Sequence, residues 1–456
     1  MMSYTSLQYL ILILILLVFY YAVPLHRRYL ILLAGSMIFY YAVSGGNLLL
    51  ILFFLLTILI AFIMGKQIDA SEGKKKKTLM ILGWCILLVP LLAGRGRDFL
   101  LHGAWNSWIL PVGISFYTMQ LCAYLSDIYT GKIQAENNLL HFALFASFFP
   151  QIIQGPIPRY RQLSEQLSEG HAFDTATFSV GLELIVRGLF LKFMIAEHAA
   201  PAVAAVFENS ELYTAPYVLA AGVLYSIQLY TDFLSCTRLS QGVSLLFGIR
   251  LAENFNHPYT SYSIRDFWGR WHMSFSSWLK DYVYIPLGGN RKGKARQYIN
   301  LVITFLVSGI WHGGALQYIA WGLYHAFCQI FERLLHVQEQ SGFRRILQLI
   351  RTDVLVMLGW ILFRAQGLST GLRMWRGLLK PSSFSLGSLN LDLQDCSVLL
   401  ISLLILIFFE KRSGNTGQTE NQRLRWALCM ISLICIWIFG AYGYGFNAQS
   451  FIYGGF

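Results

Sequence analysis

A histidine inside an apolar run is the residue of this chain whose type and position are best suited to chemistry. His312 lies in residues 308–314 (SGIWHGG), at the end of an apolar run that begins near Tyr298. A helix of about 15 residues rises roughly 22 Å, which predicts that the imidazole lies well inside a membrane. Imidazole takes a proton from an alcohol near neutral pH, as acyl transfer to a hydroxyl requires, and the neighbouring glycines would let a substrate approach closely. We expect a catalytic base here; the alternative is a structural histidine hydrogen-bonded between helices, and His325 is a weaker candidate.

A second histidine lies in an aromatic segment with a polar flank. Five of the aromatic side chains in residues 263–284 occur at near-helical spacing, and at about 100° per residue their rings fall within a stripe of roughly 80°. We therefore expect one helix with an aromatic face, beside which lie His272 and Ser276. This helix is expected to line a functional groove or to lie at the membrane interface, and the two interpretations are compatible. In the first case His272 orients or polarises the reacting groups, and in the second it is a plain interfacial histidine. The rings of the stripe belong to Trp268, Trp271, Phe275, Trp278 and Tyr282.

Two further features are suited to supporting roles. Asp232 is an acid inside an otherwise apolar span and is expected to support the site from behind the reacting groups. A Gly-rich basic loop at residues 288–296 presents Asn290, Arg291 and Lys292. Backbone N–H groups and basic side chains suit the phosphate oxygens of an acyl carrier such as coenzyme A. Because the loop lacks a Walker-type spacing, an ordinary positive-inside loop is the alternative.

The composition indicates that membrane-spanning helices position these residues. The chain has 456 residues, of which 56% are hydrophobic and only 13% charged, which is unlike a soluble protein. The sequence contains roughly ten to twelve apolar runs that are long enough to cross a bilayer, which predicts an all-α, multi-pass protein of the cell (plasma) membrane. The net charge of +12 resides mostly in short loops, as the positive-inside rule describes, and therefore indicates no nucleic-acid partner.

The chain is predicted to form a single membrane domain. Residues 1–100 are apolar scaffold helices, residues 101–345 form the catalytic core, and residues 346–456 return to plain spans. Seven scattered cysteines without a CxxC pair predict buried thiols, with neither a disulfide framework nor a metal site. Pro and Gly interrupt the apolar core and predict re-entrant or half-length helices around a pocket. These breaks lie at residues 110–113, 149–156 and 285–289.

Several stretches from about residue 100 to the C-terminus occur together in an order typical of one family. They are residues 110–131 (LPVGISFYTMQLCAYLSDIYTG), 148–161 (FFPQIIQGPIPRYR), 253–259 (ENFNHPY), 267–292 (FWGRWHMSFSSWLKDYVYIPLGGNRK), 310–313 (IWHG), 360–365 (WILFRA) and 451–453 (FIY). In these stretches the chain resembles the membrane-bound O-acyltransferase family, and within it the bacterial alginate O-acetyltransferase branch.

The resemblance implies a ring of helices around a central funnel, with His312 as the family's membrane histidine and His272 as the second histidine linked to activity. No bound cofactor is implied; the donor would be a cytoplasmic acyl-coenzyme A, such as acetyl-coenzyme A, or an acyl carrier protein. The acceptor would be an extracellular polysaccharide or an extracytoplasmic SGNH-type acyltransferase partner. The candidate substrate-binding residues are Trp268, Trp271, Ser276, Trp278, Asp281, Trp311, Asp232 and Asn254, and the candidate donor-binding residues are Asn290, Arg291 and Lys292.

Three alternatives stay open. D-alanyl transfer to teichoic acid is the sister branch, similar across residues 267–284 but typically without the PLGGNR of residues 286–291. A transporter or flippase would also contain broken helices and buried polar groups, although no internal repeat is evident. A non-catalytic scaffold that recruits a secreted partner is the third. Residues 233–238 (FLSCTR) replace the Phe-Ser-Gly-Tyr-Ser-Asp type of stretch usual in the family, so the resemblance does not specify alginate.

Overall fold

The computed structural model describes residues 2–100, 111–413 and 422–442. All regular structure within these ranges is helical, which confirms the prediction of an all-α protein. The chain forms two compact units. Among the described residues, one unit comprises 2–185 and 236–253, and the other comprises 186–235, 254–413 and 422–442.

Polar caps mark the starts of helices in the first unit. The Oδ1 atom of Asn47 accepts a hydrogen bond from the backbone N–H of Leu49 at 3.0 Å, and Asn138 does the same for Leu140 at 2.9 Å. Such caps satisfy N–H groups that the first helical turn leaves open. The helices are α1 (Leu7–Ala22), α2 (Arg28–Val43), α3 (Leu48–Asp69), α4 (Gly73–Leu100), α5 (Ile114–Tyr129), α6 (Leu139–Ser147), α7 (Tyr160–Glu169) and α8 (Thr175–Phe190), with a 3-10 turn at Leu25–Arg27; the last residues of α8 belong to the second unit.

The second unit contains two π-helical segments, Leu191–Ala196 and Lys280–Tyr284. Such turns are rare and occur frequently at functional sites. The other helices are α9 (Glu197–Glu208), α10 (Ala215–Leu246), α11 (Ile264–Arg270), α12 (Met273–Leu279), α13 (Lys294–His312), α14 (Leu316–Leu334), α15 (Gly342–Arg364), α16 (Leu368–Gly377), α17 (Leu393–Ser413) and α18 (Gln422–Phe439), with 3-10 turns at Pro258–Thr260 and Leu386–Leu389; residues 236–246 of α10 belong to the first unit.

Four described helices are long and apolar enough to cross a membrane, namely α3, α4 over Gly73–Arg95, α10 and α15. The clearest is α3, in which an 18-residue window has a mean hydropathy of 3.1; its 22 residues, at 1.5 Å per residue, rise about 33 Å, enough to cross the hydrocarbon core. The protein is therefore a multi-pass membrane protein, and the total of ten to twelve spans stays a prediction. Shorter apolar helices cover Leu7–Ala22, Leu393–Phe408 and Arg425–Phe439.

The aromatic segment of residues 263–284 does not form the single helix that its spacing predicts. Helix α11 ends at Arg270 and α12 begins at Met273. Between them, His272 has a φ of 44°, in the left-handed region that a right-handed helix cannot contain. The backbone N–H of Met273 donates instead to the carbonyl of Asn254 at 2.9 Å. Two short helices thus meet at His272, and the prediction of one continuous helix is wrong.

The predicted helix breaks are present where the structure describes them. Helix α6 ends at Ser147, three residues before Pro150, and α5 begins only after Gly113. Turns occupy residues 285–292, between the π-helical segment and α13. Residue 110 and the stretch 451–453 lie outside the described residues.

Candidate active site

His312 is the last residue of α13 and is 2% exposed. Aromatic rings surround its imidazole, which lies 4.8 Å from the ring of Trp311, 5.1 Å from Trp321, 5.1 Å from Phe363 and 5.7 Å from Phe275, measured between ring centroids. The rings come from α12, α13, α14 and α15, so four helices fix the histidine. His312 thus lies at a helix end within an apolar environment, and its depth in the membrane and its role as a base stay predictions.

His272 is likewise buried, at 1% exposure. Its ring lies 4.8 Å from Phe233, 5.0 Å from Phe275 and 6.2 Å from Trp311. Phe275 and Trp311 also contact His312 and each other, the two rings being 4.4 Å apart. The structure therefore brings the two predicted histidines into one ring cluster, where they share two aromatic neighbours.

Hydrogen bonds fix the backbone turn that carries His272. The Oδ1 atom of Asn254 accepts from the hydroxyl of Ser274 at 2.6 Å, and the Asn254 carbonyl accepts from Met273. The hydroxyl of Ser276 donates to the carbonyl of Trp271 at 3.1 Å. Asn254 and Ser276, both predicted to bind substrate, thus hold the loop and helix on either side of the histidine.

Tryptophans form the wall behind the two histidines. Trp268 packs against Trp321 at 5.5 Å, and Trp271 packs against Trp360 at 5.0 Å. Trp321 and Trp360 stack at 6.0 Å, which joins the two pairs. His325 lies 5.2 Å from Trp268 and 5.3 Å from Trp321, so this histidine is one ring removed from His312.

Helices α13 and α14 approach closely because glycines replace side chains at their contact. A Cβ atom on Gly309 would lie 2.4 Å from the carbonyl oxygen of Tyr318, and one on Gly322 would lie 2.4 Å from that of Phe305. Gly309 therefore makes room for the backbone of α14, rather than for a substrate as expected. This contact holds Trp321 of α14 against His312 of α13.

A buried ion-pair network lies beside the ring cluster. The Nζ atom of Lys192 is 2.8 Å from Oδ1 of Asp232 and 2.8 Å from Oε1 of Glu197, and all three side chains are 3% exposed. The next residue after Asp232 is Phe233, whose ring packs edge-on against His272. The hydroxyl of Ser235 also donates to the carbonyl of residue 188 at 2.6 Å. The network thus anchors the stretch of α10 that contacts His272.

Sequence reasoning missed Lys192 and Glu197 as partners of Asp232. A lysine within the apolar stretch of residues 188–196 was an available signal, because charges in such stretches are costly and pair with one another. Trp321 and Phe363 were also missed, since nothing in their spacing relates them to His312. Within the described part of the chain, no group of three His, Cys, Asp or Glu side chains is placed to hold a metal ion.

The remaining predicted residues lie further along the chain. Trp278 is buried and packs against Tyr282 at 5.2 Å, while Asp281 is half-buried in the π-helical segment. The three candidate donor-binding side chains are exposed on the turn before α13. The Nδ2 atom of Asn300 donates to the carbonyl of residue 289 at 2.9 Å and ties this turn to the helix. The candidate donor-binding side chains on this turn belong to Asn290, Arg291 and Lys292.

Comparison with known proteins identifies a family. The model of the membrane-bound O-acyltransferase (MBOAT) family matches residues 136–345, a region that contains both histidines and the ion-pair network. A peptidoglycan O-acetyltransferase of Helicobacter pylori is 32% identical over 378 residues, which cover 74% of this chain and 72% of that protein.

Two further relatives are similar over shorter stretches. A probable alginate O-acetylase of Azotobacter vinelandii is 38% identical over 305 residues, covering 66% of this chain and 60% of the relative. A teichoic acid D-alanyltransferase of Bacillus subtilis is 32% identical over 258 residues, covering 52% of this chain and 64% of the relative. The chain thus spans about 60% of the length of the alginate relative that it matches.

Proposed function

The chain belongs to the membrane-bound O-acyltransferase family, and from that membership we propose that it transfers a small acyl group, acetyl, from a thioester donor to a hydroxyl of a cell-envelope polysaccharide. The observation that carries the proposal is the shared ring environment of the two histidines. His312 and His272 are both nearly inaccessible and both contact Phe275 and Trp311. An imidazole held rigidly among apolar rings is suited to proton transfer, because its orientation is fixed before the substrate arrives.

In the proposed reaction, His312 accepts the proton of the acceptor hydroxyl as the hydroxyl oxygen attacks the carbonyl carbon of the thioester. The new C–O bond forms and the C–S bond breaks, and the proton passes from the imidazolium to the departing thiolate. His272 orients or polarises the reacting groups from the other side of Phe275 and Trp311. The surrounding rings keep water away, which limits hydrolysis of the thioester.

The donor is a cytoplasmic acetyl-coenzyme A or an acetylated acyl carrier protein. Both carry phosphate, and the exposed Arg291 and Lys292 on the turn before α13 supply charge that phosphate oxygens recognise. The acceptor is a polysaccharide hydroxyl, reached directly or through an extracytoplasmic SGNH-type acyltransferase. The names of the peptidoglycan and alginate relatives support acetyl as the group and polysaccharide as the acceptor class.

D-alanyl transfer is the second candidate, favoured by the similarity to a teichoic acid D-alanyltransferase. A panel of acyl donors distinguishes acetyl transfer from D-alanyl transfer. Purified protein in lipid nanodiscs is incubated with a polysaccharide acceptor and with radiolabelled acetyl-coenzyme A, acetylated carrier protein or D-alanylated carrier protein, and thioester consumption is followed. We expect turnover with an acetyl donor. Turnover with the D-alanyl donor alone would favour the second candidate, and no turnover with any thioester would contradict acyl transfer.

The control for this panel is a histidine outside the ring cluster. His26 is exposed and lies in the first unit, so His26→Ala is expected to consume the acetyl donor at the wild-type rate. A loss of turnover in His26→Ala would show that the assay reports general damage to the protein.

A further inference from the structure

A cavity of about 670 Å³ lies on the α14–α15 side of the second unit, outside the ring cluster around His312. Its volume is within the range of roughly 300–1,000 Å³ found for small-molecule sites. Most of its walls are apolar, and several of the side chains that form them are more than half exposed. The lining residues are Tyr324, Phe327, Cys328, Ile330, Phe331, Glu332, Leu334, Leu335, Val337, Arg351 and Leu355.

The ion pair of Arg351 with Glu332 lies in this otherwise apolar wall. An Nη2 atom of Arg351 donates to Oε1 of Glu332 at 3.1 Å and to the carbonyl of Tyr262 at 2.8 Å. Glu332 is 7% exposed and also accepts from the backbone N–H of Ile264 through both oxygens, at 3.0 and 2.9 Å. The Arg351 side chain is 38% exposed. Guanidinium has five N–H donors, so Arg351 retains donors for a ligand at the mouth of the cavity.

Charge around the cavity is predominantly basic. Residues 332–353, from the end of α14 into α15, carry the arginines Arg333, Arg344, Arg345 and Arg351, against the acids Glu332, Glu339 and Asp353. Arg345 pairs with Glu339 and Arg351 with Glu332, which leaves an excess of positive charge. Arginine suits phosphate because its planar fork can donate two parallel hydrogen bonds.

We propose that this cavity binds an anionic glycerophospholipid, with an acyl chain along the apolar wall and the phosphate at Arg351. The apolar lining matches a hydrocarbon chain, and the excess of arginines matches a lipid with a net negative charge rather than a zwitterionic one. The assignment is independent of the proposed acyl transfer.

The bound lipid has a structural consequence for the ring cluster. Glu332 holds the first N–H of α11, and α11 carries Trp268, which packs against Trp321, a direct neighbour of His312. The cavity that binds the lipid exists only in the folded protein, so bound lipid favours the folded state by mass action. Lipid binding therefore stabilises the second unit.

The test compares two lipids on delipidated protein in detergent. Mixed micelles with dioleoylphosphatidylglycerol or dioleoylphosphatidylcholine are added, and the midpoint of thermal unfolding is measured. We expect phosphatidylglycerol to raise the midpoint more than phosphatidylcholine, and the difference to vanish in Arg351→Gln. Arg373→Gln is the control, since Arg373 is 52% exposed and does not line the cavity. Equal shifts with both lipids, or an undiminished difference in Arg351→Gln, would overturn the proposal.

A second measurement does not depend on a variant that must fold. Cys328 lines the cavity, so the rate of its alkylation by a maleimide reports occupancy, read by mass spectrometry of the Cys328 peptide. We expect phosphatidylglycerol to slow alkylation of Cys328 several-fold in the wild type, and to leave the exposed Cys85 unaffected. An unchanged rate at Cys328 would show that no lipid chain occupies the cavity.

Discussion

Replacing Lys192 by methionine removes the cation that two buried carboxylates share. The Nζ atom lies 2.8 Å from Asp232 and 2.8 Å from Glu197, and each side chain is only 3% exposed. Since water cannot solvate the remaining charges, the values for buried pairs apply, and removing one partner costs about 3–5 kcal/mol. An exposed pair would contribute only about 0–1 kcal/mol. We therefore expect Lys192→Met to lower the free energy of unfolding by several kcal/mol.

A matched control comes from the same unit. Arg373 and Glu211 are 3.3 Å apart, but their side chains are 52% and 59% exposed, so Arg373→Gln should change the free energy of unfolding by at most about 1 kcal/mol. Denaturant unfolding in detergent micelles, followed by tryptophan fluorescence, compares the variants. The triple variant Lys192→Met, Glu197→Gln, Asp232→Asn should recover much of the loss, because none of the three charges of this network remains. A cost for Lys192→Met no larger than that of the control would refute this reasoning.

Two further predictions concern the elements that hold the histidines. Gly322→Ala should lower the unfolding midpoint, because its Cβ would lie 2.4 Å from the Phe305 carbonyl oxygen. In the control Gly269→Ala the Cβ meets nothing within 4 Å, so the midpoint should stay unchanged. Equal midpoints for the two variants would contradict the packing of α13 on α14. Asn254→Ala removes the acceptor of the Ser274 hydroxyl, a hydrogen bond worth about 1 kcal/mol, and should lower kcat by loosening the His272 turn, while Asn254→Asp keeps the acceptor and should retain more activity.

Local features of the fold could be predicted from the sequence. Long apolar runs between basic loops predict membrane helices because each residue in the bilayer must satisfy its own backbone within the helix. The apolar run that begins near Tyr298 likewise predicted a helix with His312 at its end, and α13 ends there. Asp232 was singled out as a charge in an apolar span, where a charge needs a partner, and the structure pairs it with Lys192; its support of the site stays a prediction.

Tertiary contacts could not be predicted in the same way. The ring spacing of residues 263–284 suits one helix, yet His272 adopts a left-handed conformation. There the carbonyl of Asn254, a residue outside this segment, accepts a hydrogen bond from the N–H of Met273. The partnership of Lys192 with Asp232 joins residues 40 positions apart. Such pairings depend on how helices pack, which periodicity within one segment does not contain.

The role of His312 as the base in acyl transfer is tested most directly by His312→Gln, which keeps a polar side chain of similar size. Wild type and variant are reconstituted in nanodiscs with radiolabelled acetyl donor and acceptor, and single-turnover transfer is measured at equal protein and equal unfolding midpoint. General-base catalysis contributes about 10²–10⁴-fold, so we expect the rate to fall by at least about 100-fold in His312→Gln and to stay at the wild-type level in His26→Ala. A His312→Gln rate within a few-fold of wild type would contradict the assignment.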